Sequence, residues 1–271
     1  MLLPATKKVW SGAETDQMLL AIDVGNTLTD FGFFADDKLL NSYLMDSDAK
    51  RSEDETRARL LLMFQSLDIE LSEIDEVIIS SVVPSIGTIL TSLSQKLFNV
   101  KAKVIGPGLK NGLKMRVDNP SEVGADLIAD AVGGKERYGN SLFIADLGTA
   151  SKYLYIDEDG AYSGLAIAPG MKLSLGALSS GTAALPEISL SKKAKIYGKN
   201  TVDCMASGII NGTIYQVRGF AEAYEKAVGH KLTKILTGGN AEYIKDELPE
   251  FIYDKDLLME GLYAINLKNR K

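Results

Sequence analysis

The chain has 271 residues, 45% of them hydrophobic and 24% charged, and a formal net charge of −6. This length suits one large domain or two moderate ones with a sizeable core, and the acidic balance argues against a general nucleic-acid or anionic-membrane surface. Cys204 is the only cysteine, which excludes an intramolecular disulfide and a zinc cluster and fits the reducing cytoplasm. No apolar run reaches membrane-spanning length, so we expect neither a membrane nor a nucleic-acid partner.

The first half of the chain alternates apolar strands, turns and helices. Residues 1–17 lack a secretory apolar core, and we expect them to form a disordered or loosely attached extension. The predicted elements that follow are strands at about 18–24, 29–35 and 39–45, a helix from Ser52 to about Leu67, a strand at 77–83, a helix at about 85–98 and a strand at 103–105. The order β-β-β-α-β-α-β combines a meander with parallel crossovers, which is typical of an α/β fold.

The second half repeats the opening pattern. After a loop at 106–120, Ser121 predicts the start of a helix at about 122–137. Then Asp146-Leu147-Gly148-Thr149 ends a strand, as Asp23-Val24-Gly25-Asn26-Thr27 does in the first half, and a second strand, an acidic turn and a third strand follow in both. This repeat predicts two like domains, at 18–138 and 139–271, whose Asp-x-Gly turns face each other across one cleft.

The remaining elements are a long helix at about 201–229, a strand at 233–236 and a glycine turn at 237–240 that we expect to open another helix. Gly208 and Gly212 lie four residues apart on one face of the long helix, which indicates either burial against the sheet or a helix–helix contact in a dimer. The glycine turn indicates either a simple helix start or a site where adenosine approaches the backbone closely.

Three glycine turns at strand ends, 23–27, 146–149 and 237–240, carry the functional prediction. None has the spacing of a Walker A loop or of a dinucleotide-binding loop. Together they predict a cleft with two phosphate-facing turns and one nucleoside-facing turn. Asp23 could hold Mg²⁺, directly or through water, and Asp146 a second cation, unless each carboxylate only caps its own turn.

Asp126 is the candidate base. It lies in the first turn of its predicted helix, where the helix dipole favours a carboxylate, so its role could be stability alone. It could also orient an acceptor hydroxyl for phosphoryl transfer, which demands little basicity. His230 is the only histidine, and without a histidine partner a Ser–His or Cys–His nucleophile is disfavoured.

Seven motifs occur in the order found in type III pantothenate kinases, a family of the actin-like ATPase superfamily, and the chain resembles that family over about 18–267. The motifs are Asp23-Val24-Gly25-Asn26-Thr27, Asn119-Pro120-Ser121-Glu122-Val123-Gly124-Ala125-Asp126, Asp146-Leu147-Gly148-Thr149-Ala150, Gly164-Leu165-Ala166-Ile167-Ala168-Pro169-Gly170, Thr182-Ala183-Ala184-Leu185-Pro186, Gly198-Lys199-Asn200-Thr201 and Thr237-Gly238-Gly239. The resemblance implies a two-lobed actin-like ATPase (ribonuclease H-like) fold, with duplicated β-β-β-α-β-α-β domains and a cleft between them.

The resemblance also implies ATP-dependent phosphorylation of pantothenate to 4'-phosphopantothenate, the first step of coenzyme A biosynthesis, by a cytoplasmic homodimer. Asp126 would accept the proton of the substrate hydroxyl, Asp23 would hold Mg²⁺ through water, and Asp146 would bind a monovalent cation, K⁺ or NH₄⁺. The implied ATP-binding residues are Asp23, Val24, Gly25, Asn26, Thr27, Leu28, Thr29, Asp30, Thr149, Gly238 and Gly239. The implied pantothenate-binding residues are Gly124, Ala125, Asp126, Leu127 and, from the partner subunit, Thr201.

The chain departs from the family pattern beside the substrate. Leu127 stands where the family has arginine, Ser151 and Lys152 replace two threonines, Asp130 replaces an asparagine and Ser163 a glycine. Loss of a charged hydrogen bond to the substrate carboxylate would weaken binding by roughly ten- to a hundredfold. Three alternatives follow. Lys152 or another cation of the cleft supplies the charge, the chain is a divergent paralogue that binds nucleotide and acts as a regulator, or it phosphorylates another small hydroxy acid.

Overall fold

The computed structural model describes residues 17–191 and 193–270, so nearly all of the predicted N-terminal extension lies outside the described residues. Within these ranges two β-sheets are packed against helices. The strands are β1 (Met18–Val24), β2 (Leu28–Ala35), β3 (Lys38–Asp46), β4 (Ile74–Ser81), β5 (Lys103–Val104), β6 (Lys114–Met115), β7 (Leu142–Leu147), β8 (Ala150–Ile156), β9 (Ala161–Pro169), β10 (Thr233–Thr237) and β11 (Ile252–Tyr253). The α-helices are α1 (Glu53–Leu67), α2 (Pro84–Phe98), α3 (Ala125–Tyr138), α4 (Met171–Gly181), α5 (Thr201–Val228) and α6 (Leu257–Lys268).

The first sheet has the strand order β3-β2-β1-β4-β5. Its first three strands form the predicted antiparallel meander, and β4 and β5 continue the sheet in parallel. Ser52 caps α1 as predicted, because its hydroxyl accepts a hydrogen bond from the Glu55 backbone N–H at 3.2 Å. Pro84 lies in the first turn of α2, where the missing N–H leaves no helix bond unmade.

The second sheet has the order β11-β10-β7-β8-β9-β6. Strands β7, β8 and β9 repeat the antiparallel meander, and β10 and β11 extend the sheet in parallel. The later elements of the two halves differ, because α4 and α5 both follow β9 and only short 3₁₀ turns separate β10 from β11. Strand β6, which precedes α3 in the chain, pairs with β9 and so extends the second sheet.

Two predicted helix starts are wrong. The helix predicted from about 122 begins at Ala125, because Pro120–Glu122 forms a separate 3₁₀ turn and the Ser121 hydroxyl donates to Asn119 Oδ1 at 2.6 Å. The turn at 237–240 leads only into a 3₁₀ turn, Ala241–Tyr243. Short polar side chains offer the backbone competing local hydrogen bonds, and the sequence alone does not rank them.

Helices α3 and α6 cross between the two sheets. Helix α6 packs on β1 and β4 of the first sheet, and α3 packs mainly on β7 and β8 of the second. Two glycines permit the close crossing: a Cβ atom on Gly261 would lie 1.9 Å from the Ala129 carbonyl oxygen, and one on Gly133 would lie 2.2 Å from the Leu257 carbonyl oxygen. The crossing therefore fixes the start of α3, where Asp126 lies, relative to both sheets.

We expect Gly261→Ala to lower the free energy of unfolding by about 3 kcal/mol, because the added methyl group overlaps a backbone carbonyl that moves only if α3 moves. Urea denaturation measures the change. Gly176→Ala in α4 is the matched control, since nothing lies within 4 Å of a Cβ there and alanine favours a helix by about 1 kcal/mol. Equal stability of the two variants would contradict the close crossing.

Candidate active site

The two Asp-x-Gly turns contact each other. Thr27, in the β1–β2 turn, and Thr149, in the β7–β8 turn, have Oγ1 atoms 3.0 Å apart. The first turn is closed by a hydrogen bond of 3.0 Å from the Gly25 N–H to the Leu28 carbonyl oxygen. Asn26, Leu28 and both threonines are exposed. Adjoining turns with exposed amides and hydroxyls provide donors for the oxygens of a polyphosphate.

Other residues of the predicted ATP-binding stretch are turned into the protein. Val24 is fully buried, and the buried Thr29 hydroxyl lies 2.9 Å from Ser47 Oγ. Burial raises the pKa of Asp30 to about 6, and its Oδ1 atom has no hydrogen-bond partner in the part of the chain that the structure describes. Val24 and Thr29 could therefore reach a ligand only through their backbone.

The glycine turn after β10 packs against the β7–β8 turn. Gly238 has a φ of +87°, and a Cβ atom there would lie 2.4 Å from Asp146 Oδ1, so this position requires glycine. The Asn240 side-chain amide donates to the Gly148 carbonyl oxygen at 2.7 Å and locks the turn in place. Gly239 is exposed beside it. The third predicted turn thus joins the other two.

Lys152 connects two aspartates that come from different elements. Asp126 lies in the first turn of α3, Asp146 lies on β7, and Lys152 is directly opposite Asp146 in the β7–β8 ladder. The Lys152 Nζ atom is 2.9 Å from Asp126 Oδ2 and 2.5 Å from Asp146 Oδ2. The exposed fractions of the Lys152, Asp126 and Asp146 side chains are 16%, 17% and 9%, so both charged hydrogen bonds are largely shielded from water.

Asp23 and Asp130 add two carboxyl groups to this cluster. Burial raises the pKa of Asp23 to about 7. The Ser80 side chain and Lys152 lower it, while the nearby Asp126 and Asp146 raise it further. Burial, together with Asp146, raises the pKa of Asp130 well above its ordinary value. Within the described residues, Asp23 Oδ1 and Asp130 Oδ2 are buried without a hydrogen-bond partner. A buried oxygen left unpaired in this way is where a cation or a water molecule is expected.

Lys152 keeps its positive charge in this environment. Burial alone lowers the pKa of an amine, but the carboxyl groups of Asp146, Asp126 and Asp130 outweigh burial and raise the pKa of Lys152 above its ordinary value. The cleft therefore contains a fixed ammonium group among four carboxyl groups.

The cleft fits a Mg²⁺ ion that is held through water better than a closed metal site. Across residues 17–191 and 193–270, no group of three or more His, Cys, Asp or Glu side chains has the arrangement of a metal site. Mg²⁺ usually keeps several waters and takes one or two carboxylates together with phosphate oxygens. Asp23, whose buried Oδ1 atom is unpaired among the described residues, could provide such a carboxylate.

The predicted substrate residues fall into three environments. Gly124 precedes α3, and a Cβ atom there would lie 2.4 Å from Asp126 Oδ1, so glycine leaves room for the carboxylate. Leu127 is buried in the core between α3 and the second sheet, while its N–H donates to Asp126 Oδ1 at 2.9 Å. Ala125 packs on the core that α3 and α6 share. Thr201 is exposed at the start of α5, and among the described contacts it has no hydrogen bond to the other site residues.

We expect Mg²⁺-dependent ATP binding to tighten about tenfold between about pH 6 and pH 8. The reason is that the pKa of Asp23 is raised to about 7, so the charged fraction of its carboxyl group rises about tenfold between these two pH values. Isothermal titration calorimetry measures the dissociation constant at each pH. If Asp23→Asn keeps the same pH dependence, another group is responsible.

Comparison with known proteins identifies the family. The sequence model of type III pantothenate kinases matches residues 19–223. The chain belongs to the type III pantothenate kinase family. The type III pantothenate kinase of Bacillus cytotoxicus is 39% identical over 253 residues, which cover 93% of this chain and 97% of that protein. The one from Listeria monocytogenes is 37% identical over 254 residues, which cover 93% of this chain and 98% of that protein.

Solved structures show the fold. The activator of the 2-hydroxyisocaproyl-CoA dehydratase from Clostridium difficile, solved with bound ADPNP, superimposes with a TM-score of 0.51 and 12% identity over 94% of this chain and 98% of that chain. The fold is the two-lobed α/β fold of actin-like ATPases, as predicted. The family is one of kinases, so the chain is an enzyme that uses ATP and a divalent metal ion.

The ion pairs of Lys152 were not predicted. One alternative from the sequence has Lys152 or another cation supply the charge for the substrate carboxylate, and the structure pairs Lys152 with Asp126 and Asp146. The nearness of Asp130 to this cluster was also missed. The available sign was its spacing, since Asp130 follows Asp126 by one helical turn on α3.

Proposed function

We propose that the chain transfers the γ-phosphoryl group of ATP to the primary hydroxyl of pantothenate and so forms 4'-phosphopantothenate, the first step of coenzyme A biosynthesis. Membership of the type III pantothenate kinase family supports this reaction. The observation that carries it for this chain is the contact between the Thr27 and Thr149 turns, which follow the strands of Asp23 and Asp146 and adjoin the Asp126 carboxylate through Lys152.

In this reaction Asp126 orients the acceptor hydroxyl and takes its proton. Its two oxygens are positioned by the Leu127 N–H and by Lys152. As the acceptor oxygen bonds to the γ-phosphorus, the bond from that phosphorus to the β–γ bridging oxygen breaks and ADP leaves. Because the transition state is largely dissociative, position matters more than basicity.

The three turns form the proposed ATP site. The exposed amides and hydroxyls at Asn26, Thr27 and Thr149 bind phosphate oxygens, and the turn at Gly238 and Gly239 receives the adenosine. Mg²⁺, when bound, neutralises charge on the phosphate oxygens. Asp23 would hold that ion with its carboxylate.

The monovalent cation that the resemblance implies at Asp146 does not fit the residues present. Asp146 Oδ2 already lies 2.5 Å from the Lys152 ammonium, which carries the same charge as K⁺ or NH₄⁺.

Pantothenate-dependent release of ADP, measured with Mg²⁺ present, tests the proposed reaction. We expect release that requires both ATP and pantothenate. ATP binding without release would contradict the proposal and favour a nucleotide-binding regulator. Because Leu127 is buried where the family has arginine, other small hydroxy acids belong in the same assay. Release with only one of these acids would show a changed substrate.

We further propose a homodimer that forms through the exposed face of α5. Gly208, Gly212 and Tyr215 are exposed, and nothing lies within 4 Å of a Cβ atom at either glycine. The alternative that this face is buried against the sheet is therefore wrong. Tyr215 adds an aromatic side chain that is 56% exposed on the same face, and close approach of two such helices is favoured at small residues.

Gly212→Glu is expected to convert the dimer into a monomer, because it places two carboxylates at the centre of the proposed contact. Light scattering after size-exclusion chromatography measures the molar mass. The monomer has open space at this position, so its stability should not fall. Gly176→Glu in α4 is the control, because a Cβ atom there also has nothing within 4 Å, and it should leave the molar mass unchanged. A monomeric native chain would contradict the dimer.

We infer a cytoplasmic location, where ATP is abundant and the exposed, unpaired Cys204 stays reduced. Among the described helices, none combines the length and the apolar composition that crossing a bilayer requires.

A further inference from the structure

We propose that the Lys152 ammonium replaces a free monovalent cation at Asp146, so that this chain phosphorylates its substrate without K⁺ or NH₄⁺. The inference rests on the proposed kinase function. In it Lys152 is a positioning residue, since it holds Asp126 and Asp146 in place.

The geometry is that of an ion held between two carboxylates. Lys152 Nζ lies 2.5 Å from Asp146 Oδ2 and 2.9 Å from Asp126 Oδ2, and each bond joins a different element to β8. An ammonium group donates hydrogen bonds in several directions, so it can hold both oxygens at once. Because Lys152 is anchored on a strand opposite Asp146, the positive charge is present without capture of an ion from solution.

Asp130 provides a second, independent observation. It is 1% exposed on α3, its Oδ2 has no hydrogen-bond partner in the described chain, and it interacts electrostatically with both Asp146 and Lys152. One carboxyl group and one amine therefore share the same buried cluster, and we infer that the Lys152 ammonium stabilises the charged form of Asp130 there.

The two ion pairs of Lys152 also argue against a role for Lys152 in binding the substrate carboxylate. Two of the three Lys152 N–H donors are taken by Asp126 and Asp146, and an ammonium that moved away to reach a distant substrate carboxylate would leave two largely buried carboxylates unpaired. The same amine cannot hold Asp126 in place and bind the far end of the substrate.

The first test measures ADP release at constant ionic strength, with tetramethylammonium as the only monovalent cation and then with increasing K⁺ or NH₄⁺. We expect the native rate to stay within about twofold, since its positive charge is built in. Lys152→Thr should be slower by about a hundredfold in tetramethylammonium and should recover with K⁺ or NH₄⁺. Asp130→Asn combined with Lys152→Thr should recover at least as fully. Lys103→Met removes a similar ion pair with Glu76, 2.7 Å long and outside the cleft, and should leave the response to cations unchanged.

The second test does not depend on turnover. K⁺ should raise the thermal unfolding midpoint of Lys152→Thr relative to tetramethylammonium and leave that of the native chain unchanged, because only the variant has a vacant cation position. Activation of the native chain tenfold or more by K⁺, or an equal rise of both midpoints, would overturn the inference. If no condition gives substrate-dependent ADP release, the proposed function fails, and the midpoints still decide the role of Lys152. If Lys152→Thr does not fold, the native response to K⁺ decides it alone.

Discussion

Asp126→Asn should lower kcat for pantothenate phosphorylation by about a thousandfold, within the range that a positioned acid or base contributes. The amide keeps the shape of the carboxylate, and its oxygen can still accept a hydrogen bond from Lys152. It cannot take a proton from the acceptor hydroxyl. Because Asp126 does not belong to the proposed phosphate-binding turns, the KM for ATP should change little.

Steady-state kinetics with separate titrations of ATP and pantothenate measure this result. Asp254→Asn is the control, because Asp254 is a buried carboxylate that accepts a hydrogen bond of 2.8 Å from the Tyr138 hydroxyl and has no described hydrogen bond to Asp126, Asp146 or Lys152. We expect that control to lose stability and keep kcat. A loss of less than tenfold in Asp126→Asn would remove Asp126 from the proton transfer and leave it the role of a helix-end carboxylate.

The meanders and their turns could be predicted because their signals are local. An apolar run followed by Asp-x-Gly specifies a strand and its turn within a few residues, and the two copies of the pattern confirm each other. Even the capping of α1 by Ser52 involves only the next three residues. The contact between Thr27 and Thr149 then follows from the repeat, since two like meanders place their turns alike.

The position of Asp126 beside Lys152 could not be predicted, because it depends on contacts between segments that are distant in the sequence. The crossing of α3 and α6 brings Gly261 against Ala129, and nothing near either residue in the sequence indicates the other. That crossing places the start of α3 beside the second sheet, which buries Leu127 and brings Asp126 to Lys152. From the sequence, leucine at position 127 indicates the loss of a substrate contact. In the structure Leu127 is part of the core.

Asp23→Asn is the second variant for which we expect a large effect, a decrease of about a hundredfold in kcat/KM for ATP at about pH 8. Asp23 is half-buried and its Oδ1 atom is unpaired among the described residues, so we expect its charge to act on an ion at the phosphates. Asparagine is neutral and holds a hydrated Mg²⁺ less strongly. Binding of ATP in the presence of EDTA should be unaffected or tighter, because a negative charge has been removed.

The pH dependence separates this role from a structural one. Since the pKa of Asp23 is about 7, only about a tenth of the native chain carries the charge at pH 6, and the hundredfold difference should shrink to about tenfold there. The free energy of unfolding of Asp23→Asn should rise at the pH where its activity falls. A carboxyl group whose folded pKa is raised above its unfolded value of 3.8 costs stability as pH rises between the two values. Asp23→Asn should therefore be more stable than the native chain at pH 8 and less active, which is the behaviour of a group kept for function. An activity ratio that is the same at both pH values would place the effect elsewhere in the cleft.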